Sequence, residues 1–349
     1  MSSPRPGPPS ETLDLYGRST MSKPRIYITR PLPEPAMRLL DGAVEYRMWD
    51  RESEPVPRET LLREIVDVDG VICLLTEKMD AEAIERAHRC RVIAQVAVGY
   101  DNIDVRAATR RGIFVTNTPG VLTDTTADMA WAILMAAARR VVEGDKFTRS
   151  GRWKTWELMG FTGQDVHDAT LGIIGLGRIG VAIARRARGF GMPILYHNRH
   201  RVPEDLESEL GALYVSLEDL LRQSDFVMIS TALTAETRHL IGEPQLALMK
   251  TTAILVNIAR GPIVDQRALY RALVDRKIWG AGLDVFETEP VPMDEPLLKL
   301  DNVVIPPHLG SASIRTRIKM ASMAAENCVA AVTGRTPPNV VNPEAQERR

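Results

Sequence analysis

Hydrophobic and polar positions along the chain alternate between short apolar runs and longer amphipathic segments. Between residues 25 and 117, short apolar runs are separated by segments whose apolar residues recur three and four positions apart, the pattern of strands alternating with helices. A second series of this kind covers 170–305, and several of its runs are apolar throughout, as in parallel strands covered on both faces. The predicted strands are 25–28, 70–74, 91–96, 113–117, 170–174, 193–197, 225–230, 253–257, 280–285 and 302–305. Two such series predict an α/β protein with two doubly wound parallel sheets.

The longest predicted helix covers residues 125–143. It opens with Thr and Asp side chains that can accept hydrogen bonds from its first backbone N–H groups, and Gly144 is expected to end it. The other predicted helices are 81–87, 179–190, 266–277 and 313–332, the last of which ends before Gly334.

Both ends of the chain lack apolar periodicity. Residues 1–22 are rich in Ser, Pro, Gly and Arg, and we expect a disordered tail there. The apolar stretch of a signal peptide is absent from them, and Glu11 and Asp14 count against an organelle transit peptide. Residues 336–349 are predicted as a second, C-terminal tail.

Composition narrows the classes of function. The 44 basic and 45 acidic side chains leave a net charge of −1, so no excess positive charge is available to bind nucleic acid or anionic lipid. The longest unbroken apolar run, 130–138, is too short to span a bilayer. The three cysteines have no metal-ligand spacing, which disfavours disulfides and a thiolate metal site. We therefore expect a cytoplasmic protein with no metal, nucleic acid or membrane as partner.

The sharpest local motif is a glycine hexamer, Gly175-Leu176-Gly177-Arg178-Ile179-Gly180. It directly follows an apolar strand and opens an amphipathic helix, which is the context that a dinucleotide-binding turn requires. The first glycine permits the tight turn, the second lets the backbone approach a pyrophosphate, and the third lets helix and strand pack closely. The hexamer therefore predicts a dinucleotide site at the start of this helix.

The residues after the next predicted strand indicate which dinucleotide is bound. An NAD site usually has a carboxylate about twenty residues downstream of the glycines, to hold the ribose 2′-hydroxyl. Here the sequence is Asn198-Arg199-His200-Arg201, with no carboxylate. Because a guanidinium can hold a 2′-phosphate that a carboxylate would repel, we predict NADP(H) in preference to NAD(H), with NAD(H) still possible.

Three further polar residues follow predicted strands of the second series. They are Arg260, Glu289 and His308. Because ligands bind at the carboxyl ends of parallel strands, we expect these side chains to meet. Reduction of a 2-oxo acid needs a proton for the carbonyl oxygen, which an imidazolium can supply while a carboxylate keeps it protonated and a guanidinium binds the substrate carboxylate.

These sites belong to a series of motifs that follow one another along the chain. They are 98–104 (VGYDNID), 116–119 (TNTP), 121–128 (VLTDTTAD), 175–180 (GLGRIG), 257–261 (NIARG), 284–290 (DVFETEP) and 307–311 (PHLGS). Together they resemble the D-2-hydroxyacid dehydrogenases, and among these most the NADPH-dependent glyoxylate/hydroxypyruvate reductases. The resemblance extends from Ile26 to about Asn342.

This resemblance implies a role for each candidate residue. His308 would be the general acid/base, Glu289 its hydrogen-bonded partner, and Arg260 the residue that binds the substrate and polarises its carbonyl. The backbone around Val98 and Gly99 would hold the substrate carboxylate. Leu75 and Thr76 would line the same pocket, and Asp284 would meet the nicotinamide carboxamide. The implied cofactor contacts are Gly175, Leu176, Gly177, Arg178, Ile179, Gly180, Asn198, Arg199, His200, Arg201, Ile258, Ala259, Arg260, Asp284, His308 and Gly310.

The resemblance also assigns the two series to domains. A Rossmann coenzyme domain would cover 121–305, and a flavodoxin-like substrate domain would combine 23–120 with 306–335, leaving a cleft between the two domains. Similar reductases are homodimers in which a Trp reaches the neighbouring active site, and Trp156 is the candidate for that role here.

Two alternatives stay open on the sequence. One is another dehydrogenase of this scaffold, acting on phosphoglycerate, 2-ketogluconate or a longer 2-oxo acid; formate enzymes carry Gln where Glu289 stands and are disfavoured. The other is a non-catalytic nucleotide-sensing scaffold similar to transcriptional corepressors, which retain the same three polar residues.

Overall fold

A computed structural model describes residues 22–348 together with two short strands, β1 (Thr12–Leu13) and β2 (Ser19–Thr20), which pair antiparallel. Of the tail predicted for residues 1–22, the described residues include only these two strands and Ser22. The rest of that prediction lies outside the described residues. The chain divides into two compact units. The N-terminal unit comprises 1–119 and 317–349, and the central unit comprises 120–316. Residues 306–316, predicted as part of the substrate domain, thus belong to the central unit.

The N-terminal unit is built on a five-stranded parallel sheet with the order β4-β3-β5-β6-β7. This is the flavodoxin-like order 2-1-3-4-5 when the five strands are counted from β3. The strands are β3 (Arg25–Ile28), β4 (Glu45–Met48), β5 (Gly70–Cys73), β6 (Val92–Gln95) and β7 (Phe114–Thr116). The helices are α1 (Glu34–Leu40), α2 (Arg58–Glu64), α3 (Ala81–Arg86), α4 (Val105–Arg110) and the C-terminal helix, Ile314–Val332.

Both faces of this sheet are buried. Tyr27 belongs to one apolar core, whereas its neighbours Ile26 and Ile28 belong to another that includes Ala324 and Cys328 of the C-terminal helix. Successive side chains of a strand point to opposite faces, so a strand with two covered faces needs an unbroken apolar run. This explains why the central strands were predictable from hydrophobicity.

The segment after the C-terminal helix packs against β7. Asn342 is fully buried; its Oδ1 accepts a hydrogen bond from the Val115 N–H at 2.7 Å, and its Nδ2 donates to Thr109 Oγ1 and to the Ile113 carbonyl. Val340 forms a β-bridge with Thr116, and a 3-10 helix follows at Pro343–Arg348. The segment therefore covers the edge strand of the sheet instead of forming the predicted tail.

The central unit is built on a seven-stranded parallel sheet with the order β10-β9-β8-β11-β12-β13-β14. Counted from β8 this is the Rossmann order 3-2-1-4-5-6 with one further strand. The strands are β8 (Leu171–Ile174), β9 (Ile194–His197), β10 (Ala212–Tyr214), β11 (Phe226–Ile229), β12 (Ile254–Asn257), β13 (Gly280–Leu283) and β14 (Val303–Val304). The helices are α5 (Thr123–Ala138), α6 (Val141–Arg149), α7 (Arg178–Ala187), α8 (Glu204–Leu210), α9 (Leu217–Gln223), α10 (Glu243–Leu246) and α11 (Gln266–Val274). Two doubly wound parallel sheets confirm the predicted fold class.

The structure differs from the prediction at edge strands and at the long helix. The edge strands β4 and β10 were missed because they are short and partly exposed, and β4 alternates polar residues with apolar ones. The predicted helix 125–143 is broken, since Arg140 adopts a left-handed φ of 53° between α5 and α6. Gly144 lies inside α6 and ends no helix.

Candidate active site

The glycine hexamer forms a turn between β8 and α7. Gly175 has a φ of 99°, and a Cβ there would lie 2.7 Å from the Thr231 nitrogen. A Cβ on Gly180 would lie 2.3 Å from the Gly175 carbonyl oxygen, so close packing of helix and strand requires this glycine. A Cβ on Gly177, in contrast, would meet nothing within 4 Å. The open backbone at Gly177, before the first turn of α7, fits the pyrophosphate of a dinucleotide.

The segment after β9 is held by two contacts that the sequence did not reveal. Asn198 Oδ1 accepts a hydrogen bond from the Leu176 N–H at 2.6 Å, so this side chain braces the glycine turn. Arg201 is paired with Glu207 through two hydrogen bonds, Nε to Oε1 at 2.8 Å and Nη2 to Oε2 at 2.6 Å. Glu207 thus compensates the charge of Arg201, whereas the exposed Arg199 makes no hydrogen bond or ion pair within the described part of the chain.

Glu207 is a buried carboxylate with two strong donors. Hydrogen bonds from Arg201 and from the Tyr196 hydroxyl lower the pKa of Glu207 to about 2, against the opposing effect of burial. Burial, followed by the hydrogen bond to Glu207, raises the pKa of Tyr196. The cluster ties the end of β9 to α8.

His308 lies in a turn after β14 that is held by Asp284. The backbone of His308 has a φ of 52°, a region that few residues other than glycine adopt. The Asp284 side chain, buried after β13, accepts hydrogen bonds from the N–H groups of Leu309 at 2.6 Å and Gly310 at 2.8 Å. Burial raises the pKa of Asp284, while the two backbone donors and the charge of His308 act in the opposite direction. The carboxylate thus holds the turn that carries the imidazole.

His308 is paired with Glu289. His308 Nδ1 lies 2.6 Å from Glu289 Oε2, and Glu289 Oε1 accepts a hydrogen bond from the Phe286 N–H at 2.9 Å. Burial opposes ionisation of Glu289, but the hydrogen bond and charge of His308 outweigh it and lower the pKa of this carboxyl. Because the carboxylate takes Nδ1, Nε2 is the ring nitrogen left to exchange a proton with a ligand.

Arg260 lies in the turn that follows β12. The Asn257 side chain holds this turn, since its Oδ1 accepts from the Ala259 N–H at 3.1 Å and its Nδ2 donates to the Arg260 carbonyl at 2.9 Å. A Cβ on Gly261 would lie 1.8 Å from the Phe286 carbonyl carbon, so only glycine permits this approach to the loop that carries Glu289. The charge of Arg260 adds to the lowering of the Glu289 pKa.

These residues follow the neighbouring strands β12, β13 and β14, whose carboxyl ends share one edge of the sheet. Ile258 is buried, and Ala259 and Arg260 are partly exposed. The structure brings His308 and Glu289 into contact and places Asp284 and Gly310 beside them. The catalytic and cofactor-binding roles of these residues stay predictions.

The remaining candidate residues lie in other parts of the chain. Leu75 and Thr76 follow β5, and Val98 and Gly99 follow β6, at the carboxyl edge of the sheet of the N-terminal unit. Leu75, Val98 and Gly99 are partly exposed and Thr76 is exposed. Trp156 of the central unit has 74% of its surface exposed.

Two other kinds of site are absent from residues 22–348 and the two N-terminal strands. No cluster of three or more metal-binding side chains occurs there. None of the helices described is both long enough and apolar enough to span a bilayer.

Comparisons with known proteins agree with this geometry. A family model described as D-isomer specific 2-hydroxyacid dehydrogenase, NAD binding domain, matches residues 131–310. The chain is 56% identical over 328 residues to the glyoxylate reductase of Korarchaeum cryptofilum, covering 94% of this chain and 98% of that protein. A solved glyoxylate reductase from Paecilomyes thermophila has a TM-score of 0.81 at 35% identity, covering 93% of this chain and 99% of that one. The NADPH-dependent glyoxylate/hydroxypyruvate reductase of Sinorhizobium meliloti, solved with NADP and malonate, has a TM-score of 0.81 at 33% identity, covering 94% and 99%.

A Rossmann sheet with a glycine-rich turn, and a His–Glu pair at its carboxyl edge, define a dinucleotide-dependent oxidoreductase. The chain belongs to the D-isomer specific 2-hydroxyacid dehydrogenase family. The resemblance drawn from its motifs is thereby confirmed.

The Glu207 cluster predicts a pH-dependent difference in stability. Because the pKa of Glu207 is lowered from 4.5 to about 2, its ionised form stabilises the fold fully above pH 4.5, and this stabilisation is lost as the pH falls toward 2. We expect Glu207→Gln to lower the Tm by several degrees at pH 7 and the two melting temperatures to converge in acid. Thermal unfolding of both proteins between pH 7 and pH 3 measures this difference.

Glu209→Gln provides the matched control. Glu209 lies on the same helix and pairs with Arg185 at 2.8 Å, but both side chains are about half exposed, so its loss should change the Tm little at any pH. A Tm difference for Glu207→Gln that did not vary with pH would contradict the role assigned to its charge.

Proposed function

We propose that this protein reduces a short 2-oxo acid, glyoxylate or hydroxypyruvate, to the corresponding 2-hydroxy acid, of D configuration where the carbon is chiral, with NADPH as the reductant. The observation that carries the proposal is the contact of 2.6 Å between His308 and Glu289 at the carboxyl edge of a dinucleotide-binding sheet. The names of the relatives, glyoxylate reductase and NADPH-dependent glyoxylate/hydroxypyruvate reductase, support the choice of substrate and cofactor.

The dinucleotide, when bound, supplies the hydride that reduces the carbonyl carbon. His308 donates the proton that the carbonyl oxygen takes up, and Glu289 stabilises the imidazolium before that transfer. Arg260 binds the substrate carboxylate and polarises the carbonyl. In the N-terminal unit, the backbone around Val98 and Gly99 holds the carboxylate, and Leu75 and Thr76 contact the substrate.

The residues that would hold the dinucleotide lie along one edge of the Rossmann sheet. The pyrophosphate would lie against the glycine turn, and the nicotinamide would lie near Asp284. The proposed contacts are Gly175, Leu176, Gly177, Arg178, Ile179, Gly180, Asn198, Arg199, His200, Arg201, Ile258, Ala259, Arg260, Asp284, His308 and Gly310.

Removing the imidazole tests the reaction. We expect His308→Ala to lower kcat by about 10²- to 10⁴-fold, because a positioned general acid contributes about that factor. The affinity for NADPH should be retained. NADPH absorbance with glyoxylate, hydroxypyruvate, pyruvate and 2-ketogluconate measures kcat and ranks the substrates.

His167→Ala is the control for this variant. His167 also pairs with a carboxylate, Asp168, at 3.0 Å, but it precedes β8 and lies at the opposite edge of the sheet. The His167→Ala variant should leave kcat unchanged. Near-normal turnover by His308→Ala would refute the proposed acid, and no NADPH oxidation with any 2-oxo acid would favour the nucleotide-sensing alternative.

Arg199 is proposed as the main determinant of the preference for NADPH, because Glu207 already engages Arg201. A hydrogen bond to a charged group contributes about 1.5–3 kcal/mol, so we expect Arg199→Ala to weaken NADPH binding about 10- to 100-fold. NADH binding should change much less. Fluorescence titration with both dinucleotides gives the two Kd values.

Arg222→Ala serves as the control for loss of an exposed arginine. Arg222 lies in α9, which precedes β11, and its side chain is 57% exposed. Equal loss of NADPH and NADH affinity in Arg199→Ala, or a wild-type preference for NADH, would contradict the assignment.

A homodimer is proposed on the basis of an exposed apolar segment in the central unit. Trp153, Trp156, Leu158 and Met159 have 60–76% of their surfaces exposed. Apolar side chains concentrated in this way mark interaction surfaces, and a second copy of the chain is the occupant that the resemblance to dimeric reductases indicates.

Truncation of Trp156 tests the dimer. A buried interfacial tryptophan contributes about 2 kcal/mol or more, so Trp156→Ala should weaken dimerisation at least about 30-fold and alter the substrate preference. Sedimentation measures the first effect and the 2-oxo acid panel measures the second. Leu213→Ala, at another exposed apolar position, is the control. If Trp156→Ala changes neither property, the proposed role is wrong.

A cytoplasmic location is proposed as well. Cys73, Cys90 and Cys328 are buried and form no disulfide within the described residues, which is typical of proteins in a reducing compartment.

A further inference from the structure

Side-chain amides hold the loop that follows β6. Asn117 Nδ2 donates a hydrogen bond to the Val98 carbonyl at 2.8 Å, and Gln95 Nε2 donates to the Gly99 carbonyl at 3.3 Å. The Thr118 N–H donates to the Ala97 carbonyl at 2.9 Å. Three successive carbonyls of this loop therefore point into the N-terminal unit.

Peptide geometry fixes the direction of the neighbouring N–H groups. The peptide bonds after Val98 and Gly99 are trans, and in a trans peptide the N–H points opposite to the carbonyl. The N–H groups of Gly99 and Tyr100 therefore point away from Asn117 and Gln95. Within the described residues, neither of these two N–H groups donates to a protein acceptor.

Two successive N–H groups without a protein acceptor suit one ligand type in particular. Gly99 is partly exposed and Tyr100 has 39% of its surface exposed, so the loop is accessible to a small molecule. Adjacent backbone N–H groups form an anion-binding concavity, and a carboxylate is the anion that a 2-oxo acid carries.

The same network reaches the loop after β5. Gln95 Nε2 also donates to Asn102 Oδ1 at 2.8 Å, and Asn102 Nδ2 donates to the carbonyls of Leu74 at 3.1 Å and Glu77 at 2.8 Å. Gln95 is fully buried, and its Oε1 accepts from the Cys73 thiol at 3.1 Å. The Gln95 Nε2 group thus contacts the loop after β6, while its Oε1 accepts from the last residue of β5.

We propose that Gln95, Asn102 and Asn117 are positioning residues for the substrate carboxylate. Asn117 and Gln95 orient the Gly99 and Tyr100 N–H groups toward the ligand. Asn102 fixes the position of the loop that contains Leu75 and Thr76 relative to these two N–H groups. Donors held in place before binding need no reordering when the carboxylate arrives, which strengthens binding. The proposal rests on the proposed function.

Asn117→Leu tests the positioning. Leucine has the branching and the number of side-chain heavy atoms of asparagine and carries no charge that would repel the anionic substrate, and the substitution removes the hydrogen bond to the Val98 carbonyl. We expect the KM for glyoxylate and the Ki of oxalate, as a competitive non-reacting carboxylate, to rise together by about 2- to 10-fold. The KM for NADPH and kcat should stay within about twofold, as for loss of uniform binding.

Asn342→Leu is the matched control. Asn342 is a fully buried amide of the N-terminal unit, whereas Asn117 is partly exposed, and it makes three side-chain hydrogen bonds. Its partner Ile113 precedes β7, at the end of that strand opposite to Asn117. It should lower the Tm at least as much as Asn117→Leu without changing the KM for glyoxylate. If Asn117→Leu does not fold, Gln95→Met, which removes the donor to the Gly99 carbonyl, should give the same rise in KM and Ki.

Crystal structures of the wild type and Asn117→Leu separate the two ways of failing. If the wild type reduces glyoxylate but the variant keeps both its KM and the orientation of the Val98–Gly99 peptide, the positioning role is overturned and the proposed function stands. If the wild type reduces no 2-oxo acid, the proposed function fails, and an altered Val98–Gly99 peptide in the variant still supports the role of the Asn117 side chain in orienting this peptide. If the peptide is unaltered as well, that orienting role of Asn117 is also overturned.

Discussion

The candidate active site depends on one buried carboxylate, Asp284, that accepts hydrogen bonds from the N–H groups of Leu309 and Gly310. These bonds hold His308 at a left-handed φ that its side chain would otherwise disfavour. With the backbone in this conformation, His308 Nδ1 lies 2.6 Å from Glu289 Oε2. Burying a carboxylate is costly unless donors satisfy it, so the turn and Asp284 stabilise each other. The geometry of the proposed proton donor is therefore set by a residue that the sequence suggested only as a cofactor contact.

Side-chain amides serve the same purpose elsewhere in both units. Asn257 closes the turn of Arg260, Asn198 braces the glycine turn, and Asn102 with Gln95 holds the loops after β5 and β6. An amide carries both a donor and an acceptor, so one side chain can satisfy backbone groups of opposite kinds at the end of a strand. These loops have little regular structure of their own. Their conformations are accordingly fixed by side chains that take no direct part in the proposed proton and hydride transfers.

At the proposed cofactor site, the structure distinguishes the two arginines that follow β9. Arg199 and Arg201 look equivalent when only the adjacent residues of the chain are considered, because neither has a carboxylate directly beside it. Glu207, which lies in α8, accepts two hydrogen bonds from one edge of the Arg201 guanidinium, from Nε and Nη2, and also accepts one from the Tyr196 hydroxyl. The positive charge open to a 2′-phosphate is thereby reduced, and Arg201 has a structural contact in addition to its proposed role in cofactor binding.

The sequence by itself determined the fold class, most strands of both sheets, the glycine turn and the family, because these depend on periodicity and on residues adjacent in the chain. The roles of Gly175 and Gly180 were predictable for the same reason, since one tight turn contains the whole motif. The pairing of Arg201 with Glu207, the hold of Asp284 on the His308 turn, and the amide contacts at Val98 and Gly99 were decided only by the tertiary structure. The break at Arg140 and the packing of Asn342 on β7 belong to the same group. Each of these depends on where one group meets another after the chain has folded back. A local pattern of hydrophobicity or spacing contains no information about such contacts.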